Sequence, residues 1–340
     1  MANNNSLLAR YSLGVQSAKG TQATAFITGL KTQSSMPPPT FDEAGANRSE
    51  HPGTVSRNTG RRSYKDLTGY IASFSSQGIL YPRLFPVQLI GAGFTCTTSD
   101  ETTHYEHTFH LSLADALEWI SVIHQATDQN WQRVIRDARI TQLQVQASTD
   151  ELTVSDQGQG LHMGAPAGGP TFQSEEPTAI LPSVGSMTIT VNSGSITGTV
   201  RGYNFQVQQG LDTNDKALFT QQRADLPQQS IAVSGEAQDL DITRSDYQLV
   251  VNAGVNNTDP SLVTARGSIS TKFQSAGNIS GAAAPYSVEF KILAAEFSMG
   301  EFQASGSDPM RYALAYEMVD APGGPAQPVE VIVVNDVAAY

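Results

Sequence analysis

The stretch RITQLQVQAS, residues 139–148, sets Gln142, Gln144 and Gln146 at every second place, with Thr141, Leu143, Val145 and Ala147 between them. Side chains leave a β-strand alternately on its two faces, so a period of two marks a strand with one buried and one wet face. The pattern recurs. LTGYIASFSSQG (67–78), THYEHTFHL and SMTITVNSG alternate in the same way, and SITGTVRGYNFQVQQG sets Gln206 and Gln208 against Phe205 and Val207. RGSISTKFQS, PYSVEFKILAAEF, MRYALAYEMV and VEVIVVNDV close the chain as four more strand-like segments. A mainly β protein follows, and its wet faces carry amides where lysine and glutamate usually keep a surface soluble.

The composition agrees. Of the 340 residues 39% are hydrophobic and only 15% charged, against a usual charged share of about 25%. Ser, Thr, Gln, Asn and Gly fill the difference, which suits strands and turns. A net charge of −12 argues against a surface built to grip phosphates. Cys96 is the only cysteine, which excludes an intrachain disulfide and a cysteine-built zinc site. MANNNSLLARYSLG shows no signal peptide, and no stretch approaches the ~20 apolar residues of a membrane span. These features predict a soluble protein made in a reducing cytoplasm.

Two segments change period. In SLADALEWISVIHQATD (112–128), Leu113, Ala116, Leu117, Ile120 and Ile123 share a helical face behind a Ser112–Asp115 capping box, which predicts a short helix carrying Trp119. NWQRVIRDA reads as a further turn before the glutamine strand. RSDYQLVVNAG has a second box, Ser245 with Gln248, and a stop at Gly254. Residues 10–30 are weakly patterned. Residues 34–66 form a long polar stretch without period, stiffened at Pro37–Pro39. It reads either as a mobile excursion or as an arm that orders on a neighbour, with Arg48, Glu50, Arg57, Arg61 and Arg62 as pairing charges. GLHMGAPAGGPTFQSEEP (160–177) reads as a linker or long turn. The two halves, 1–165 and 166–340, share an outline of glutamine strands, short helix and further strands. They read as two similar β lobes or as parts of one larger sandwich.

Catalytic signatures are missing. No P-loop, nucleophile elbow or H-E-x-x-H occurs in the sequence. His104, Glu106 and His110 could meet a metal from one strand face, with His107 opposite, but ordinary hydrogen-bonding histidines are the commoner arrangement. Glu175 and Glu176 sit beside Pro177 in a polar loop, and Tyr203, Phe205, Tyr312 and Tyr316 are explained by packing. No enzyme, cofactor or metal is expected.

The order of parts resembles the major tail tube proteins of long-tailed bacteriophages. The likeness is carried by the lead LGVQSAKGTQAT, the arm with GANRSEHPGT, LTGYIASF directly after it, then WQRVIRDARITQLQVQAS and FQSEEPTAILPSVGSMTITVNSGS. The resemblance implies a tail-tube-type β-sandwich or barrel with short flanking helices. Rings of three two-lobed chains, or of six chains, would stack into a tube that conducts DNA into the host. It also implies a tape-measure protein and then genomic DNA in the lumen without specific binding, terminator and tip proteins at the ends, and no membrane partner. The location implied is the virion tail, assembled in the host cytoplasm. The second half would be a tube repeat or an outer β-domain. On this reading Gln142, Gln144, Gln146, Gln206 and Gln208 face a wet lumen; facing bulk solvent on an outer sheet is the alternative. A β-sandwich recognition module, binding a receptor or glycan, is the other functional reading.

Overall fold

The computed structural model describes residues 9–29, 31–43, 67–111, 117–126, 131–148, 152–174, 181, 185–196, 200–212, 225–241, 243–254, 257, 259–300, 311–320 and 327–340. In chain order its strands are β1 (Ala9–Val15), β2 (Ala25–Gly29), β3 (Lys31–Ser35), β4 (Thr40–Glu43), β5 (Leu67–Ile79), β6 (Phe94–Asp100), β7 (Tyr105–Leu111), β8 (Ile120–Ala126), β9 (Trp131–Ala147) and β10 (Leu152–Gly164). They continue as β11 (Thr171–Ser174), β12 (Ser186–Val191), β13 (Gly194–Ile196), β14 (Gly202–Leu211), β15 (Gln228–Leu240), β16 (Ala265–Asn278), β17 (Pro285–Met299), β18 (Tyr312–Met318) and β19 (Val329–Asn335). Helix α1 (Phe85–Gly91) and helix α2 (Arg244–Val251) are short. The protein is mainly β, with 64% of the described residues in strands, and its sheet curls strongly into a half-barrel.

Two long strands organise the sheet. β9 pairs with β10 along one edge, while its other edge is divided: the first half takes β8 and the second takes β14. β17 repeats the device, with β16 on one edge and β19 then β18 on the other. β14, β15 and β18 bridge the two branch strands. From β9 the sheet also runs through β8, β1 and β2 to β11, the last pair being parallel. From β10 it runs to β5, which carries β3 and β4. Strands on either side of residue 165 pair at β9–β14 and at β7–β19.

The apolar phases of these strands meet in one large core, with smaller separate clusters around Phe26 and around Trp119. Phe205 and Phe290 lie with ring centroids 4.7 Å apart, and Phe85 brings α1 onto Phe290 at 5.8 Å. Tyr316 donates its hydroxyl hydrogen to the Tyr203 hydroxyl at 2.9 Å. Burial lifts both phenols above their ordinary pKa.

Several expectations are corrected. The helix expected over 112–128 is absent where the chain is described: Ile120–Ala126 is β8, and Trp119 precedes it. Ile120, Ser121, Val122 and Ile123 are all buried, because β8 is paired on both edges and covered on both faces. A strand in that position shows an unbroken apolar run, and here the run imitates a helical stripe. Residues 112–116 lie outside the described residues. In NWQRVIRDA, residues 131–138 are the start of β9, not a helical turn. Its alternation is hidden by adjacent buried Val134 and Ile135 and by Asp137, whose φ of 51° interrupts the pleat. The expected linker at 160–177 begins as the end of β10 and continues into β11. Its Gly160, and Gly158 just before it, serve close packing: a Cβ would come within 2.2 Å of Ile135 at Gly160 and of Phe74 at Gly158. The periodless stretch 34–66 contains the end of β3 and all of β4, both laid on β5. The weakly patterned lead supplies β1 and β2. The second helix forms, but its capping box is Thr243 with Asp246, two residues ahead of the expected pair. Helix α1 was not anticipated, because all seven of its residues are buried and it has no polar stripe.

Candidate functional site

The five glutamines meet. In the register of β9 against β14, Gln144 faces Gln206, Gln142 faces Gln208, and Gln146 faces Asn204. Gln144 donates through Nε2 to Asn204 Oδ1 at 3.2 Å. Gln146 and Gln208 are exposed, and Gln142, Gln144 and Gln206 are half-buried. Between them Leu143, Val145, Phe205 and Val207 point into the core, so the alternation read from sequence fixes the phase of both strands.

The patch continues across nine strands. Following the register outward, one row passes from Gln33 on β3 through Gln77, Ser155, Gln144, Gln206 and Ser234 to Glu317 and Glu296, and ends at Arg266 on β16. A second row runs Ser35, Ser75, Gln157, Gln142 and Gln208. From β3 to β14 these two rows hold amides and hydroxyls and no charge.

The character changes at the β15 end. Glu236, Glu317 and Glu296 stand on neighbouring strands around a hollow of about 530 Å³ that Asn204, Gln206 and Ser234 also line. Glu296 and Glu317 are direct cross-strand partners, an unfavourable like-charge pairing. Arg266 relieves it, donating to Glu296 Oε1 at 2.8 and 3.0 Å. Sequence reasoning did not find this acidic end. Each acid is visible as a polar position in an alternating strand, but only the register of β15, β18 and β17 gathers them.

Two further polar clusters hold the frame. Asp156, 1% exposed, accepts hydrogen bonds from Tyr11 Oη at 2.9 Å, from Ser76 Oγ at 2.8 Å, and from Gln88 Nε2. It ties β1, β5 and α1 to β10. Its sequence signal is an acid in the buried phase of LTVSDQGQ. The other cluster surrounds Trp119. Arg139 lies over the ring at 4.1 Å and Lys19 at 5.1 Å, while Asp225 sits 3.2 Å from Lys19. Burial lowers the guanidinium pKa of Arg139. Asp137 accepts from the Gly20 N–H at 2.6 Å and lies 3.4 Å from His162 Nε2.

His104, Glu106 and His110 are not brought together. Glu106 and His110 are four residues apart on one strand, roughly 13 Å, and pair with different residues of β19. No group of three metal-ligating side chains occurs among the described residues. His107 is buried and fully used: Nε2 donates to the Val337 carbonyl at 2.9 Å, and Nδ1 accepts from Thr98 Oγ1 at 2.9 Å. Desolvation is the main reason its pKa falls below 6.5. Arg48, Glu50, Arg57, Arg61, Arg62, Glu175 and Glu176 lie outside the described residues. No described helix is long and apolar enough to cross a membrane. Comparison with known proteins gives no match to any family model or curated sequence.

Proposed function

We propose that this chain is a structural subunit that closes into rings and stacks into a tube, a phage tail tube in its virion setting, through which DNA passes. The observation that carries the reading is the registered amide face, with Gln142, Gln144, Gln146, Gln206 and Gln208 on adjacent strands and no cation among them. A lysine-paved wall would pair with phosphates and release counterions, and each such contact would hold the DNA. Amides and hydroxyls keep a wall hydrated without that grip. The carboxylates at the β15 end add repulsion felt over about 8 Å at physiological salt.

The width of the face suits three copies. Nine strands at ~4.8 Å spacing span about 43 Å of arc. For strands near the bore axis, three copies enclose a circle roughly 41 Å across, and two copies only about 27 Å. A duplex is at least about 17 Å across, judged from twice its major-groove depth. With about 8 Å of ionic atmosphere on each side it needs roughly 33 Å, which three copies provide. The tape-measure protein would occupy the same bore before the DNA, with terminator and tip proteins at the tube ends and the Arg-bearing arm between subunits.

The test replaces Gln142, Gln144 and Gln146 with lysine. Electron microscopy of wild-type protein should show hollow tubes, and the variant should form them too, since these side chains lie on the wet face. Duplex DNA should remain in variant tubes at low salt and leave as salt rises, whereas wild-type tubes release it throughout. Absence of tubes from concentrated wild-type protein, or free passage of DNA through the lysine tubes, would overturn the proposal.

A further inference from the structure

The wet face gives a bore but nothing to join one ring to the next. The loop between α2 and β16 carries the most exposed large apolar side chains among the described residues: Leu262, fully exposed, and Val263, 72% exposed. An exposed Leu–Val pair at a loop tip costs hydration and invites a partner. The loop is held in shape. Asn252 Nδ2 donates to the Asn257 carbonyl and Asn257 Nδ2 donates to the Asn252 carbonyl, both at 2.8 Å. Ser261 N–H donates to the Val251 carbonyl at 2.9 Å, and Val263 N–H to Ser261 Oγ at 3.0 Å. A tip fixed in this way has little ordering left to lose on docking.

A receptor of matching chemistry lies farther along the same strand. Met187, Val200, Tyr203 and Phe273 line a mainly apolar, partly open hollow of about 250 Å³ where β9 ends and β14 begins. Thr271 adds a buried hydroxyl beside Tyr203. Arg201 stands at the rim, its side chain one-third exposed and already donating to Asp241 at 2.6 Å, and Asp259, exposed and without an ion pair among the described residues, precedes the tip. From Val263 to Thr271 or Phe273 is eight to ten extended residues, roughly 30 Å along β16. A projection and a recess displaced along one strand are what a head-to-tail contact requires, and such a contact repeats from copy to copy as an open stack wherever its rotation does not close into a ring.

We infer that Leu262 and Val263 of one copy seat in the Met187–Tyr203–Phe273 hollow of the next, with Asp259 brought alongside Asp241 to share Arg201, and that this contact stacks one ring on another. The inference rests on the assembly proposed above, but its contact can be measured without tubes. With every copy at −12, long-range charge opposes the approach and apolar burial drives it, so stacking strengthens with added salt.

The experiment uses the full chain and two variants: a double one, L262D with V263D, on an exposed tip where aspartate displaces no packing, and Ser186→Trp, which fills the mouth of the hollow from an exposed position. Circular dichroism confirms that both fold, and sedimentation velocity follows assembly over a concentration series. Each variant should need on the order of a hundred-fold more protein than wild type to stack, from two apolar side chains left unburied. Mixed one to one, the variants should give complexes that stop at a pair, because one partner keeps only recesses and the other only projections. Stacking of the tip variant at the wild-type concentration overturns the inference. So does wild-type behaviour of Ser186→Trp, or a mixture in which neither variant rescues the other. Binding of wild-type protein to anionic phosphatidylserine vesicles, lost in the tip variant, would instead assign the tip to a membrane. If wild type forms no rings yet still associates through this contact, the tube reading fails and the contact stands.

Discussion

Removal of the Asp156 carboxylate tests the claim that β1, β5, β10 and α1 form one unit. The carboxylate is 1% exposed and accepts from Tyr11, Ser76 and Gln88. Hydrogen bonds to a charged group contribute about 1.5–3 kcal/mol each, and a buried donor left unpaired costs about 1–3 kcal/mol. Asp156→Ala strands three donors and opens a small void, but it also relieves the desolvation of a buried charge. The net cost should therefore fall near the 3–5 kcal/mol typical of breaking a buried charged cluster, not at the sum of the parts. Asp156→Asn keeps an acceptor for Tyr11 but turns an amide N–H₂ toward the Gln88 amide, for about half that loss. Tyr11→Phe removes one donor, leaves the carboxylate two others, and should cost about 1–2 kcal/mol. Urea unfolding followed by fluorescence and circular dichroism measures all three, and the Tyr11→Phe/Asp156→Ala double variant gives the coupling, expected at about 1–2 kcal/mol. Folded Asp156→Ala within about 1 kcal/mol of wild type, at an unchanged m-value, would refute the reasoning.

Acid should loosen the C-terminal anchor. Desolvation lowers the His107 pKa in the fold below the 6.5 of the free side chain. The unfolded chain thus binds the proton more tightly, so this contribution is complete above about pH 6.5 and declines as pH falls toward the folded value. The slope of stability against pH between 5 and 7 should be shallower in His107→Gln; an unchanged slope would transfer the effect to His124 and His162, whose pKa values burial also lowers. Two glycines of β10 should respond oppositely to alanine. At Gly158 a Cβ would lie 2.2 Å from the Phe74 ring and 2.4 Å from the Arg139 carbonyl, whereas at Gly164 nothing lies within 4 Å. Gly158→Ala should cost 3 kcal/mol or more, at the upper end for overpacking, and Gly164→Ala should be neutral or stabilising by about 0.5 kcal/mol. Equal thermal shifts in the two variants would contradict the packing described at Gly158.

Strands with one wet face were legible, and strands buried on both faces were not. β9 over 139–147, β12, β14 and β16–β19 announce themselves by alternation, because solvent contrast between their faces imposes it. β8 and α1 meet no such contrast: β8 is enclosed by β1 and β9 with both faces covered, and α1 lies wholly inside. Their sequences record burial but not geometry, so β8 reads as a helix and α1 passes unnoticed. The candidate site shows the same division. That Gln142, Gln144 and Gln146 share a face follows from their spacing. That Gln206 and Gln208 lie directly opposite them, and that Glu236, Glu296 and Glu317 finish the same face, depends on pairings such as Gln208 with Gln142 and Ser234 with Glu317, between residues far apart in sequence, which no local pattern encodes.

The wet face and one sheet margin make the same physical demand. β6 is hydrogen-bonded to β7 along one edge, and no strand pairs with its other edge among the described residues. Its sequence, FTCTTSD, is mostly exposed and carries one charge, at the very end. Soluble monomers guard such edges with lysine, proline or a bulge, because bare N–H and C=O groups recruit any passing strand. This chain has none of those guards on β6, and it spreads an uncharged amide surface across strands that a monomer would stud with lysine and glutamate. Each feature alone is a hazard for a protein that lives free in solution. Together they are what the proposed assembly calls for: its edges would be consumed and its neutral face enclosed, and the absence of charge that makes the monomer vulnerable would let the wall leave a polyanion unbound.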